Sequence, residues 1–119
     1  VDASVPSWML MHWARDRSRG PRIQLETVVK RQTSETADFF GFHDRGRLEV
    51  GKKADVNVID YEGMRLHAPE VRYDQPKNGR RLVQRVDGYK NTFVSGVSTF
   101  ENGVYSGATP GKLVRATSL

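Results

Sequence analysis

The chain contains no cysteine, which excludes a disulfide framework and any thiolate metal site and fits a reducing compartment. A cytoplasmic location is the default expectation and no inference from this. There is no long apolar run and no charged leader, so neither a membrane span nor a signal peptide is visible. Histidine is scarce, with three in 119 residues. His12, His43 and His67 share neither the His-x-His spacing nor the one-turn spacing of zinc sites, so no complete metal site can be read here. A Gly-x-Ser-x-Gly elbow is also missing, and no serine stands beside a recognisable base.

The chain is long enough for one core but too short for a complete (β/α)8 barrel, which needs at least roughly 200 residues. Opening on Val1 rather than Met, it reads as a piece cut from a longer polypeptide. The net charge is +5, and clustered cations of this kind attract anionic partners. The distribution argues otherwise. Arg15, Arg17, Arg19 and Arg22 gather at one junction but Asp16 interrupts them, and Lys30-Arg31, Lys52-Lys53 and Arg80-Arg81 are scattered. A solvated or interdomain basic surface is expected, with neither nucleic acid nor membrane as a partner.

Three helices are expected in the first third. From Ser4, a hydroxyl N-cap candidate, Pro6 leads into Met9, Leu10, Trp13 and Ala14 at helical spacing, and Gly20-Pro21 ends the run. Leu25, Val28 and Val29 make one stripe over about Gln24 to Gln32. Thr33 or Ser34 then caps a short helix through Asp38 and Phe39, with Gly41 placed to end it in the left-handed conformation. After Arg45 the period turns to alternation. Leu48 and Val50, then Ala54, Val56 and Val58 beyond the Lys52-Lys53 corner, predict a hairpin of two short strands. Glu62 to Gly79 holds Pro69 and Pro76 with weak periodicity and is expected to be an irregular loop. Strands follow at Leu82 to Val86, Tyr89 to Val94, Val97 to Phe100 and Val104-Tyr105. Asp87-Gly88, Gly96 and Asn102-Gly103 join them, Asn-Gly being the strongest hairpin signal.

The nearest approach to a catalytic motif is Gly46 to Lys53, GRLEVGKK, which almost matches a phosphate loop. Lys53 stands where a magnesium-binding hydroxyl is required, and the following ADVNVID is β-like rather than helical, so the match fails. His12 beside Trp13 reads as part of a helix face, and His43 with Asp44 as a hydrogen bond at a helix exit. Asp2 and Asp55 make no convincing carboxylate pair, since Asp55 belongs to an expected strand. The residues by themselves spell out no catalytic constellation.

The stretch GRLEVGKKADVNVID resembles the strand pair that follows the catalytic barrel in amidohydrolases: Gly-x-Leu-x-x-Gly-x-x-Ala-Asp-hydrophobic-x-hydrophobic-x-Asp. Gly46, Leu48, Gly51, Ala54, Asp55, Val56, Val58 and Asp60 all match. The pattern has a physical logic. Gly51 permits a tight corner, Ala54 allows close strand approach, and Asp55 can bind backbone amides near the corner. Asp2-Ala3-Ser4, His12-Trp13 with Arg15-Asp16-Arg17, Asp44-Arg45-Gly46 and Gly79 to Gln84 resemble the branch of N-acyl-D-amino-acid deacylases, the D-aminoacylases. The tail from Thr92-Phe93-Val94 through Gly107 to Arg115 is similar to that branch's ending, with Lys112 where Arg is common.

The resemblance implies a C-terminal fragment of a zinc-dependent hydrolase of N-acyl-D-amino acids. In that family a His-x-His, later His ligands, a bridging Cys or equivalent and the Asp after the last barrel strand hold zinc and activate water; all would lie before Val1. The fragment would then hold no catalytic or metal-binding residue of its own and be inactive alone, with Asp2 and Ser4 at the rim of the substrate pocket. Gly46, Gly51, Ala54, Asp55 and Asp60 would be structural. The implied fold is α+β: helices over 1–45 as the remnant of the end of a TIM-like barrel, then a small, mainly antiparallel β-domain over 46–119, an incomplete sandwich or barrel. Its partners would be the N-terminal barrel portion of the same protein and, through an open sheet edge, a second copy of itself. The alternative is a stand-alone basic α+β binding module that uses this open edge.

Overall fold

The computed structural model describes residues 2–116, with only the backbone of Asp2. A 3-10 turn at Asp2–Ser4 leads into the first helix, α1, which is α-helical over Val5–Trp8 and continues as a π-helix over Met9–Asp16. Its last bond, Arg17 N–H to the His12 carbonyl at 2.8 Å, spans five residues. In the wider turn each residue advances through a smaller angle, so the buried face differs from the one that ordinary helical spacing predicts. Leu10 and Met11 are buried, Met9 and Ala14 pack beside them, and Trp13 stays outside that cluster.

The second helix, α2, covers Leu25–Gln32, and Val28 is completely buried. Glu26 in its first turn and Lys30 and Arg31 in its last complement the helix dipole. The third, α3, runs over Ser34–Phe39. It ends as expected: Gly41 takes φ +70°, and Phe42 N–H reaches the Ala37 carbonyl at 2.8 Å while Gly41 N–H reaches Asp38 at 3.1 Å. These two bonds make a Schellman motif and satisfy the terminal carbonyls.

The expected hairpin after Arg45 does not form. Only its second arm is a strand, β1 at Val56–Ile59. Leu48 and Val50 are fully in solvent, and Glu49 to Lys52 closes a turn through the Lys52 N–H to Glu49 carbonyl bond at 3.1 Å, with Gly51 at φ +89°. Alternation alone cannot make a strand where no neighbour pairs with it. The converse holds for Glu62 to Gly79, expected to be irregular. It contains β2 (Arg65–Leu66), β3 (Glu70–Gln75) and the start of β4 (Gly79–Val83). Pro69 and Pro76 bracket β3 instead of interrupting it, and Lys77 and Asn78 turn the chain with φ near +57° and +58°. The expected Leu82–Val86 strand is split between β4 and β5 (Val86–Asp87).

The late strands follow the sequence closely: β6 is Tyr89–Val94, β7 Val97–Glu101 and β8 Val104–Tyr105. Val94 pairs with Val97 and Glu101 with Val104 across two-residue turns. Both turns, Ser95-Gly96 and Asn102-Gly103, have positive φ at each residue, as a type I′ turn requires. The antiparallel order β1-β6-β7-β8 forms a four-stranded sheet; β2-β5 and β3-β4 are separate two-stranded ribbons. The fold is thus α+β, helices followed by antiparallel sheets that do not close. The core joins the two parts, with Leu10, Met11 and Val28 of the helices packed with Met64 and flanked by Ile59, Tyr61, Leu66, Val86 and Tyr89. No helix among the described residues is long and apolar enough to cross a membrane.

Candidate functional site

Polar side chains fasten the start of the chain to the sheets. Ser4 occupies the N-cap position of α1 but makes no capping bond. Its hydroxyl instead donates to Gln84 Oε1 at 2.6 Å, and Gln84 Nε2 donates to the His67 carbonyl at 2.9 Å. Ser4 is 7% exposed, so this contact lies beneath the surface. One turn on, the Ser7 and Tyr89 hydroxyls meet at 2.7 Å, and Tyr61 donates to the Leu10 carbonyl at 3.1 Å. Arg15 completes the seam. Its guanidinium donates to the Tyr61, Glu62 and Met64 carbonyls and is held by Asp16 at 2.7 and 3.0 Å. The Arg15 hydrogen bonds hold the Asp16 carboxyl below its ordinary pKa, while burial raises that of Tyr61.

Beyond Gln84 the chain lines an open cavity of about 500 Å³ with His67, Ala68, Glu70, Arg85 and Asp87. His67 Nε2 lies 2.8 Å from Asp87 Oδ2, and Arg85 lies 3.3 Å from Glu70. A second cavity, of about 400 Å³, is bordered by His12, Asp16, Arg17, Ser18 and Arg19. There His12 stacks on Trp8 at 4.5 Å and meets the edge of Trp13 at 5.5 Å, and Arg17 lies 4.4 Å over Trp13. His12 therefore serves a helix face, as its neighbours suggested. His43 does not bond to Asp44: its carbonyl takes Lys52 Nζ at 2.6 Å, and the Asp44 carboxylate is committed to Arg45. Among the described residues no three His, Asp or Glu come together in a way that could hold a metal. The donors among the described residues do not fit a metal centre.

The motif residues are spread along the seam between loop and sheet. A Cβ on Gly46 would stand 2.7 Å from the Ala37 Cβ, whereas one on Gly51 would meet nothing within 4 Å. Ala54 offers its carbonyl to Gly96 N–H at 2.8 Å. Asp55 does bind a backbone amide, but that of Ser95 in the β6–β7 turn, at 2.8 Å, while its other oxygen lies 3.3 Å from Arg45. Asp60 closes its own loop by accepting from Gly63 N–H at 3.1 Å and lies 3.8 Å from Lys90. Of the two residues expected at a pocket rim, Ser4 sits on Gln84 and the Asp2 side chain lies outside the described residues. Gln84 and Arg15 stand in stretches that resemble the family, but no local spacing marks the distant groups that each of them binds.

The family comparison covers most of this framework. The amidohydrolase family profile matches residues 1–100. A D-aminoacylase of Alcaligenes xylosoxydans is 29% identical over 110 residues, 92% of this chain and 20% of that protein. An allantoinase of Deinococcus radiodurans is 30% identical over 99 residues, 82% of this chain and 21% of that protein. The chain thus spans about a fifth of the length of these curated relatives. No solved structure matches. With most of its length matched by the family profile, from the helices into β7, the chain belongs to the amidohydrolase family.

Proposed function

We propose that this chain is the C-terminal part of a zinc-dependent hydrolase that cleaves the amide bond of N-acyl-D-amino acids, its metal held by parts of the polypeptide outside this chain. The observation that carries the reading is the similarity to a D-aminoacylase over 92% of the chain. The described residues supply no ligand cluster of their own. On this reading the helices are the remnant of the end of a TIM-like barrel. The N-terminal barrel portion is the partner of the chain, and Asp2 and Ser4 stand at the rim of the substrate pocket, Ser4 steadied from below by Gln84. The motif from Gly46 to Asp60 is structural, and the isolated chain is inactive.

The test is to express the complete reading frame that contains this chain, in parallel with the chain alone. The complete protein should release D-amino acids from N-acyl-D-amino acids, lose that activity on chelation and regain it with zinc, while the chain alone releases none. Stoichiometric zinc binding with amide hydrolysis by the chain alone would overturn the proposal. Because one relative is an allantoinase, allantoin belongs in the substrate panel. Opening of that cyclic amide, with N-acyl-D-amino acids untouched, would reassign the substrate while leaving the family unchanged.

A further inference from the structure

The first helix has two unlike sides. On one, Ser7, Leu10 and Met11 are buried and Arg15 reaches the carbonyls of Tyr61 and Met64. The other carries a row of rings and cations. Trp8 and His12 stack at 4.5 Å with their planes 3° apart, Trp13 meets His12 edge-on, and the Arg17 guanidinium lies 4.4 Å over the Trp13 ring. Trp8 is 44% exposed. His12 and Arg17 border the cavity of about 400 Å³ with Asp16, Ser18 and Arg19, and Arg22 folds back on the same loop, its Nε 3.1 Å from the Arg17 carbonyl.

The charges here are unbalanced. Arg15, Arg45, Arg47, Arg72, Arg81 and Arg85 each pair with a carboxylate, whereas Arg17, Arg19 and Arg22 pair with none among the described residues. Asp16, which borders the cavity, is held by Arg15 at 2.7 and 3.0 Å. Arg17 is also fixed in place. A Cβ at Gly20 would stand 3.0 Å from its Nη2, so the loop packs against the guanidinium edge, and its Nε is buried without a hydrogen-bond partner among the described residues. A partly desolvated cation held in one orientation costs free energy until a counter-charge reaches it. Backed by an indole, a guanidinium is preorganised for a carboxylate, because its planar fork matches two oxygens and the ring face restricts its motion.

Position decides which carboxylate. From Ser4 to Arg17 the helix runs on the order of 15 to 20 Å, at ~1.5 Å per residue. In an N-acyl amino acid a single carbon separates the carboxylate from the amide nitrogen, so a substrate at the Ser4 rim cannot place its carboxylate here. A dissolved anion would satisfy the charges but leave Trp8 uncovered, whereas interfaces between protein surfaces are rich in this combination of tryptophan and arginine. These residues lie within the stretch matched by the family profile, and the relatives are about five times as long as the chain.

We propose that Arg17, Arg19 and Arg22, with the Trp8–His12 stack beside them, receive an acidic surface of the amino-terminal part of the same polypeptide, an Asp or Glu carboxylate seating on the Arg17 guanidinium. This rests on the reading that the chain is the C-terminal part of a longer hydrolase. The test uses the complete protein in three versions that each replace one guanidinium with a primary amine: Arg17→Lys, Arg19→Lys and Arg22→Lys. A water-soluble carbodiimide couples such an amine to a carboxylate in contact with it, taking up the water lost in amide formation and leaving as a urea, and peptide mass spectrometry locates the bond. Lys30, 3.4 Å from Glu35, is the internal reference.

The expected product joins position 17, and in lower yield 19 or 22, to an Asp or Glu upstream of Val1. In parallel, the Arg17→Gln, Arg19→Gln, Arg22→Gln variant should melt about 5 °C lower in ~50 mM salt, lose most of that difference in ~1 M salt, and keep kcat/KM within about twofold. Coupling confined to Asp16 or to other residues of this chain overturns the proposal. So does coupling between two copies, detected by mixing isotopically labelled and unlabelled protein, and so does coupling at Lys30 with none at the introduced amines. An unchanged Tm with KM raised about tenfold gives the cluster to a dissolved anion or to the substrate, and also overturns it. Coupling to upstream residues in a protein that hydrolyses no N-acyl-D-amino acid keeps the docking surface and removes the substrate reading. An active protein without that coupling removes only the docking surface.

Discussion

At Gly46 the backbone takes φ +83°, and an added Cβ would also stand 3.0 Å from the Thr33 carbonyl. Gly51 has a similar φ of +89° but open space around it. Gly51→Ala should cost only the conformational strain, about 1 kcal/mol, whereas Gly46→Ala must also displace α3 and should cost about 3 kcal/mol; urea denaturation of the two variants checks the difference. Asp55 joins the loop carrying Arg45 to the turn at Ser95. Asp55→Ala should cost about 1 to 2 kcal/mol and raise amide exchange at Ser95 before the sheet centre, as hydrogen exchange would show. The need for glycine and for an amide-binding carboxylate was legible in the motif. Their partners were not: Ala37 lies in the preceding helix and Ser95 forty positions beyond Asp55, and local spacing does not say which residues the fold brings together.

Among the elements, the β3–β4 ribbon carries a pH signature. Arg81 donates to both Asp74 oxygens and holds that carboxyl down to about 2 from its ordinary 3.8. Because the folded value is the lower one, the pair stabilises the ribbon above the unfolded pKa and loses its effect as pH falls from 3.8 toward about 2. Amide exchange at the Lys77–Asn78 turn should accelerate through that window, and Arg81→Gln should abolish the dependence. The prolines and weak periodicity of Glu62 to Gly79 point to an irregular loop, yet Pro69 and Pro76 bound a strand instead of breaking one. At Leu48 and Val50 the converse holds, with alternation in the sequence and no strand in the fold. Regular elements whose stops are local, such as α3 with Gly41 and β7–β8 with Asn102-Gly103, were recovered from sequence.

For the molecule as a whole, Arg15 holds the helical part against the loop after β1, with its side chain only 19% exposed. Arg15→Met should keep the aliphatic packing but strand three carbonyls, costing about 2 kcal/mol and lowering Tm, with exchange rising together in α1 and around Met64. Uncoupled exchange in the two regions would argue against that joint. Periodicity, caps and turn residues act over a few neighbours, and they suffice for the family pattern from Gly46 to Asp60, the three helical segments and the late strands. That Leu48 and Val50 find no strand partner among the described residues, that β3 and β4 pair, and that Ser4 meets Gln84 eighty residues on are settled by the folded chain. Those outcomes depend on which distant groups can bury surface or satisfy hydrogen bonds together, and the folded chain as a whole settles that competition.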